Sequence, residues 1–258
     1  MLEAVFAEGF IASLIAGMIT GIGGFCIFFK KIYLKAEINQ FLNLAAGVML
    51  AASFFSLLVP AMKDIVGKGG DIHVEAFSYV VAVFFGVLLV WLLNVLLPHE
   101  HNSMGHHGPH FDVRKAWLFI IAITLHKVPE GLAVGVAYGA ESIINPLSLV
   151  VGIAVHNIPE GLTIAISLVG AGYSRLKAAL MALTIGFMQP IGAIIGLLLM
   201  DINLRIVPYG MALAGGTLLF VVINEILPET YGQKETNKSA ASVFLGFIVM
   251  TYITMIFN

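Results

Sequence analysis

Two segments 30 residues apart repeat one pattern, HKVPEGLAVGVA at 126–137 and HNIPEGLTIAIS at 156–167. In each, a histidine precedes a glutamate by four residues, so that the two side chains share one face of a helix. Both segments stand inside long apolar runs, and the connection between those runs is short. Neighbouring helices joined in this way are antiparallel, as the halves of inverted repeats are in many membrane proteins. The repeat therefore predicts two central antiparallel helices that face each other with like residues.

Composition places these helices in a membrane. Hydrophobic residues make up 59% of the 258 residues and charged residues 11%, and the mean hydropathy is +0.98. Soluble domains average about 25% charged residues, and a soluble fold of this composition would expose far too much apolar surface. The net charge of −2 gives no basic surface for nucleic acid. Cys26 is the single cysteine, which excludes an intramolecular disulfide framework.

The apolar runs predict eight membrane spans, because a span needs about 20 mainly apolar residues. The fold class is therefore all-α, an integral membrane bundle that we expect to form one domain over residues 1–258. The first run follows an acidic start without the features of a cleaved signal peptide, which predicts a retained helix. The predicted spans are 5–29, 38–62, 74–97, 116–139, 143–170, 176–200, 205–228 and 240–257.

The loop cations predict the orientation, because loops on the cytoplasmic side are enriched in lysine and arginine. The second, fourth and sixth loops hold only Lys63, Lys68 and Arg205. The odd-numbered loops hold the larger set, namely Lys30, Lys31, Lys35, Arg114, Lys115, Arg175, Lys177, Lys234 and Lys238. We therefore expect the odd loops in the cytoplasm and both termini outside, in the cell (inner) membrane.

The repeated segments concentrate ionisable residues inside the membrane, where such residues usually face a partner or a water-filled path. His126, Glu130, His156 and Glu160 would form a nitrogen and oxygen site suited to Zn²⁺ and its first-row neighbours. The prolines of the motifs leave backbone carbonyls without helical partners beside this site. The alternative is a hydrogen-bonded polar contact between two helices, which we consider weaker for two copies in register.

The third loop, 98–115, carries five further histidines: His99, His101, His106, His107 and His110. Their imidazoles could capture metal at the cytoplasmic face or sense its level. A flexible linker with weak, dispensable metal binding is the alternative.

These features together resemble the ZIP (Zrt-/Irt-like) family of metal transporters. The resemblance covers the whole chain and rests on the paired H-x-x-P-E-G motif, the histidine-rich loop and the eight spans. The bacterial GufA-like branch is the most similar, through three further stretches: AAGVMLAASFFSLLVPA at 45–61, TIGFMQPIGA at 184–193 and INEILPET at 223–230. The resemblance implies inverted pseudo-repeats, spans 1–3 and 6–8, around central spans four and five.

The resemblance also implies a metal site midway across the membrane. Its ligands would be Met49, His126, Glu130, His156 and Glu160. A thioether favours softer metals such as Zn²⁺ and Cd²⁺, although from sequence alone Met49 reads as a packing residue.

Some relatives hold a second metal bridged to the first by the two glutamates. The corresponding further positions here are Lys127, Asn157 and Gln189, and they depart from the family pattern. A protonated lysine has no lone pair for a metal and repels a cation. We therefore predict a mononuclear site in which Lys127 replaces the second ion and pairs with Glu130 or Glu160. The alternative is that Lys127 turns away towards the interface.

The resemblance implies uptake of a divalent metal into the cytoplasm, Zn²⁺ first, with Cd²⁺, Fe²⁺, Mn²⁺ and Co²⁺ as further substrates, by alternating access. A selective channel and a membrane di-metal enzyme are the alternatives, and we expect no enzyme activity. The partners would be metal ions and the lipid bilayer, with a homodimer left open. Ser56, Asp64, Asn224 and Glu225 are candidate pathway residues; helix–helix hydrogen bonds or a solvated charge explain them equally well.

Overall fold

The computed structural model describes residues 2–29, 35–96, 99–101, 105–107, 115–140, 143–201, 204–228 and 236–257. Ten α-helices cover most of these residues. They are α1 (Leu2–Phe25), α2 (Lys35–Ala51), α3 (Val59–Gly67), α4 (Ile72–Leu96), α5 (Lys115–Gly139), α6 (Pro146–Gly170), α7 (Arg175–Gly186), α8 (Gln189–Asp201), α9 (Val207–Val221) and α10 (Thr236–Phe257). Short 3₁₀ turns follow α1 at Cys26–Phe28 and precede α9 at Leu204–Ile206.

Seven stretches of helix within the described residues are long and apolar enough to cross a membrane. The predicted fourth span is present as α5, a 25-residue helix packed among them. Large apolar side chains cover the outer surface; Met255 of α10, for example, is 77% exposed. The predicted all-α, multi-pass membrane architecture is thus confirmed.

Two of the spans contain a π-helical segment. Ala52–Leu58 joins α2 to α3, so that the second span continues to Gly67 rather than ending at residue 62 as predicted. Val222–Ile226 continues α9. π-helical segments leave the regular hydrogen-bond ladder and often occur at functional sites.

The sixth span is broken, although the sequence predicted one continuous helix over 176–200. α7 ends at Gly186, and α8 begins at Gln189. Pro190 lacks an N–H and cannot donate the helical hydrogen bond to the Gly186 carbonyl, which accounts for the break. The break places the Gln189 side chain at the start of α8.

The histidine-rich segment was predicted as a loop, and part of it forms a short β-hairpin in the structure. β1 (His99–His101) pairs antiparallel with β2 (Gly105–His107), with His99 opposite His107. His110 lies outside the described residues, as do the side chains of the other four histidines.

α6 begins three residues later than predicted, because Asn145 caps it. The Asn145 side-chain oxygen accepts a hydrogen bond of 3.0 Å from the Leu147 N–H, and Pro146 occupies the first turn. Both α5 and α6 continue through their internal prolines.

The helices approach closely at glycines. A Cβ on Gly17 of α1 would meet the carbonyl oxygen of Gly186 of α7, and a Cβ on Gly186 would meet that of Gly17. Small residues let membrane helices pack backbone to backbone. Through such contacts α1 packs against α6 and α7, and α5 against α8, which places α5 and α6 in the middle of the molecule.

Candidate metal site

The centre of the site is a buried cluster on the two central helices. Glu130 of α5 and His156 and Glu160 of α6 each offer a ligand atom within 4.8 Å of the other two. His156 Nε2 lies 3.6 Å from Glu130 Oε1 and 4.0 Å from Glu160 Oε2. All three residues are buried. Within the part of the chain that the structure describes, this is the one such group of three or more histidine, cysteine or acidic residues.

The cluster has the atoms that a first-row divalent metal prefers. One imidazole nitrogen and carboxylate oxygens from two residues form a borderline-soft donor set of the kind that binds Zn²⁺. Glu130 Oε1 and His156 Nδ1 have no hydrogen-bond partner among the described residues. Buried polar atoms are nearly always satisfied in native proteins, so these atoms are available to a bound cation.

Lys127 lies beside the cluster and is completely buried. Its Nζ donates hydrogen bonds to Glu130 Oε2 at 2.7 Å and to Asn157 Oδ1 at 2.5 Å, and it forms an ion pair with Glu160. The ammonium therefore contacts both glutamates, where the sequence predicted one or the other. One lysine and two carboxylates give the site a formal charge of about −1 when both carboxylates are ionised and the histidines are neutral.

Asn157 extends this arrangement to two further helices. Its amide nitrogen donates to the backbone carbonyl of Ala16 at 2.7 Å and to Gln189 Oε1 at 2.9 Å. All three positions expected at a second metal, Lys127, Asn157 and Gln189, are thus fully buried and joined by hydrogen bonds. The network ties α5 and α6 to α1 and α8.

One predicted histidine lies outside the 4.8 Å group, and the fifth predicted ligand is a methionine in an apolar cluster. His126 is buried on α5, one turn before Glu130. Met49 is completely buried in α2, in the apolar cluster that also contains Ala133 of α5 and Ile153 of α6. The structure therefore brings three of the four predicted histidine and glutamate ligands within 4.8 Å of one another.

The candidate pathway residues have different surroundings. Ser56 is completely buried in the first π-helical segment, with its Oγ 3.2 Å from Ser148 Oγ at the start of α6. Asp64 pairs with Lys68 at 2.5 Å and lines a cavity of ≈ 610 Å³ between α3, the α5–α6 connection and α10. Asn224 lies in the second π-helical segment, and the Glu225 side chain is outside the described residues.

Comparisons with known proteins identify the family of this chain. Residues 98–254 match the family model described as ZIP Zinc transporter. The chain is 35% identical to the zinc transporter GufA of Myxococcus xanthus, covering 96% of this chain and 98% of the relative. It is 38% identical to the zinc transporter ZIPB of Bordetella bronchiseptica, covering 83% and 70%, and 34% identical to ZupT of Streptococcus mutans, covering 96% and 97%.

The chain belongs to the ZIP family. The similarity to GufA agrees with the resemblance found in the sequence, and the relatives are named as transporters, not as enzymes. This ZIP protein is accordingly a membrane transporter of divalent metal, and the enzyme alternative is excluded.

Sequence reasoning missed two partners in this ZIP protein. The Ala16 carbonyl is a backbone group and leaves no signature in a sequence. Ser148 could have been found, because it is a polar residue in an apolar run, three residues after Asn145 and close to Pro146.

Proposed function

We propose that this ZIP protein carries a divalent transition metal, Zn²⁺ first, into the cytoplasm through the cluster of Glu130, His156 and Glu160. The observation that supports this most strongly is the burial of these three residues within 4.8 Å of one another on two central helices. Buried ionisable groups in a membrane are costly and mark ion pathways. Cd²⁺, Fe²⁺, Mn²⁺ and Co²⁺ accept the same donor types and are further candidate substrates.

His126 and Met49 would complete the metal coordination. His126 is one helical turn from Glu130, and Met49 is buried in the neighbouring helix α2. Met49 belongs to the same buried apolar cluster as Leu132 and Ala133, which follow Glu130 on α5. A thioether ligand favours softer metals over Mg²⁺ and Ca²⁺.

We propose one metal in the site. Lys127 donates to Glu130 and pairs with Glu160, the two residues that would have to bridge to a second ion. An ammonium there repels a second cation and offers it no lone pair. Lys127 would therefore also lower the affinity for the first metal, which favours its release.

An inverted repeat would provide two equivalent states, one open to each side. In such a repeat, spans 1–3 correspond to spans 6–8, and span four corresponds to span five. The contact of α1 with α6 then corresponds to that of α5 with α8, and the contact of α4 with α9 to that of α10 with α2. All four contacts are present. The motif glycines support the same exchange. A Cβ on Gly161 would meet the Thr20 carbonyl of α1, and a Cβ on Gly131 would meet the Gln189 carbonyl of α8.

We also propose a direction for the metal transport and a source of energy for it. The loop cations favour an orientation with both termini outside the cell membrane. The sequence has no phosphate-binding motif of the G-x-x-x-x-G-K-[ST] type, so we propose that transport uses a gradient.

Uptake of radioactive zinc into sealed liposomes containing the purified protein tests this function. We expect saturable uptake that is lost on Glu130→Gln and retained on Glu3→Gln, the same chemical change at an exposed position. Uptake that rises linearly with zinc would favour a channel. Equal uptake by the Glu130→Gln protein and the unmodified protein would contradict the proposed site.

A further inference from the structure

The contacts of Lys127 divide into two kinds. Glu130 and Glu160 are charged partners that a bound metal would also use, whereas the Asn157 oxygen is a neutral partner outside the metal cluster. Asn157 is itself held by the Ala16 carbonyl and by Gln189. The ammonium therefore has a fixed acceptor beside the site that remains when the carboxylates turn to a metal.

The charge of the site depends on this lysine. Counted formally, with both carboxylates ionised and the histidines neutral, the site with its lysine has a charge of about −1 without metal and about +1 with a divalent ion. Without the lysine, the two values become about −2 and 0. Moving charge through a low-dielectric interior is costly, and the cost rises steeply with the net charge. With the lysine, the metal-free and metal-loaded forms therefore carry net charges of equal size, and moving either form costs a similar free energy. Removing the lysine raises this cost for the metal-free form alone.

A carrier must pass through both forms in each cycle. Net uptake requires the metal-free site to return to the outer side, whereas exchange of metal for metal uses only the loaded form. We propose that Lys127 is the tethered counter-ion that lets this carrier return without metal. The inference rests on the proposed function: Lys127 makes net uptake independent of a metal or another ion travelling back.

Two transport modes measured on the same liposomes separate the roles. Net uptake is the entry of radioactive zinc into zinc-free liposomes, and exchange is its entry into liposomes preloaded with non-radioactive zinc. For Lys127→Met we expect the ratio of net uptake to exchange to fall at least about tenfold, which corresponds to a barrier raised in the return step only. Lys127→Arg keeps the charge and should keep a ratio near that of the unmodified protein.

A double variant protects the test against misfolding. Removing Lys127 alone leaves a buried carboxylate without its partner, which destabilises proteins. Lys127→Met with Glu160→Gln removes one charge of each sign and restores the net charge of about −1. Its absolute rates will fall because Glu160 is a proposed ligand, but its ratio of net uptake to exchange should return towards the unmodified value.

The outcomes are distinguishable from failure of the proposed function. If the unmodified protein shows neither net uptake nor exchange, the transport function itself is wrong. If it shows both, and Lys127→Met keeps the same ratio, Lys127 is not the counter-ion. A double variant whose ratio stays tenfold low would likewise overturn the inference, because charge would then not be the cause.

Discussion

Gly161 lies where α6 crosses α1, directly after the site residue Glu160. A Cβ built on Gly161 would meet the carbonyl oxygen of Thr20, with the Thr20 carbonyl carbon at 2.8 Å and the Gly24 nitrogen at 3.0 Å. All three atoms belong to the α1 backbone, which cannot rotate away as a side chain can. Gly161→Ala must therefore push the two helices apart.

The cost of this change follows from two opposing effects. Alanine is favoured over glycine in a helix by about 1 kcal/mol, whereas overpacking a tight contact costs about 1–3 kcal/mol, and backbone atoms that cannot move aside favour the upper value. The difference is about 2 kcal/mol, so at about 2–4 °C per kcal/mol we expect Gly161→Ala to lower the melting temperature by roughly 4–8 °C. Zinc uptake should fall as well, because the displaced helix carries His156 and Glu160.

Thermal unfolding of the purified protein in detergent measures the effect, with Gly170→Ala as the matched control. Gly170 ends the same helix, and a Cβ there would have no atom within 4 Å. The control should unfold at the same temperature as the unmodified protein or slightly higher. If Gly161→Ala were as stable as Gly170→Ala, the backbone contact between α6 and α1 would not exist as described.

Three further predictions concern contacts outside the metal cluster. Ser56→Ala and Ser148→Ala should each destabilise the protein by about 0.5–1.5 kcal/mol. The double variant should lose less than the sum of the two, because both changes remove the same 3.2 Å hydrogen bond. Additive effects in melting experiments would mean that this hydrogen bond does not form. Trp117→Phe removes a 3.0 Å hydrogen bond to the Tyr173 hydroxyl and should lower the free energy of unfolding by a similar amount. In a Tyr173→Phe background, the same change should lower it markedly less. Equal losses in both backgrounds would argue against that contact. Asp64→Asn should change stability by less than about 1 kcal/mol, because its partner Lys68 is half exposed; a larger loss in urea unfolding would indicate a stronger role for this pair.

Composition and the repeated motif were sufficient to predict the membrane bundle and the centre of the site. Membrane spans follow from length and hydropathy alone, and the four-residue spacing of histidine and glutamate follows from the helical period. The position of Lys127 between the motif residues likewise predicted its ion pair. The spans and the spacing are local features, and a single helix determines each of them.

Features that depend on how helices cross could not be predicted in the same way. The spacing placed His126 and Glu130 on one face, but the crossing of α5 and α6 decides which ligand atoms converge, and His126 lies outside the 4.8 Å group. The π-helical segment Ala52–Leu58 changes the backbone hydrogen bonds without changing the apolar pattern. The break before Gln189 interrupts a run long and apolar enough to predict one span, although Pro190 indicated the break.

Diffraction from crystals grown with zinc, measured at the zinc absorption edge, tests the proposed site most directly. We expect one anomalous peak among Glu130, His156 and Glu160, with the Lys127 ammonium occupying the position next to it. Two peaks bridged by the glutamates would contradict the role given to Lys127. A peak elsewhere, with none between the two central helices, would contradict the metal site itself.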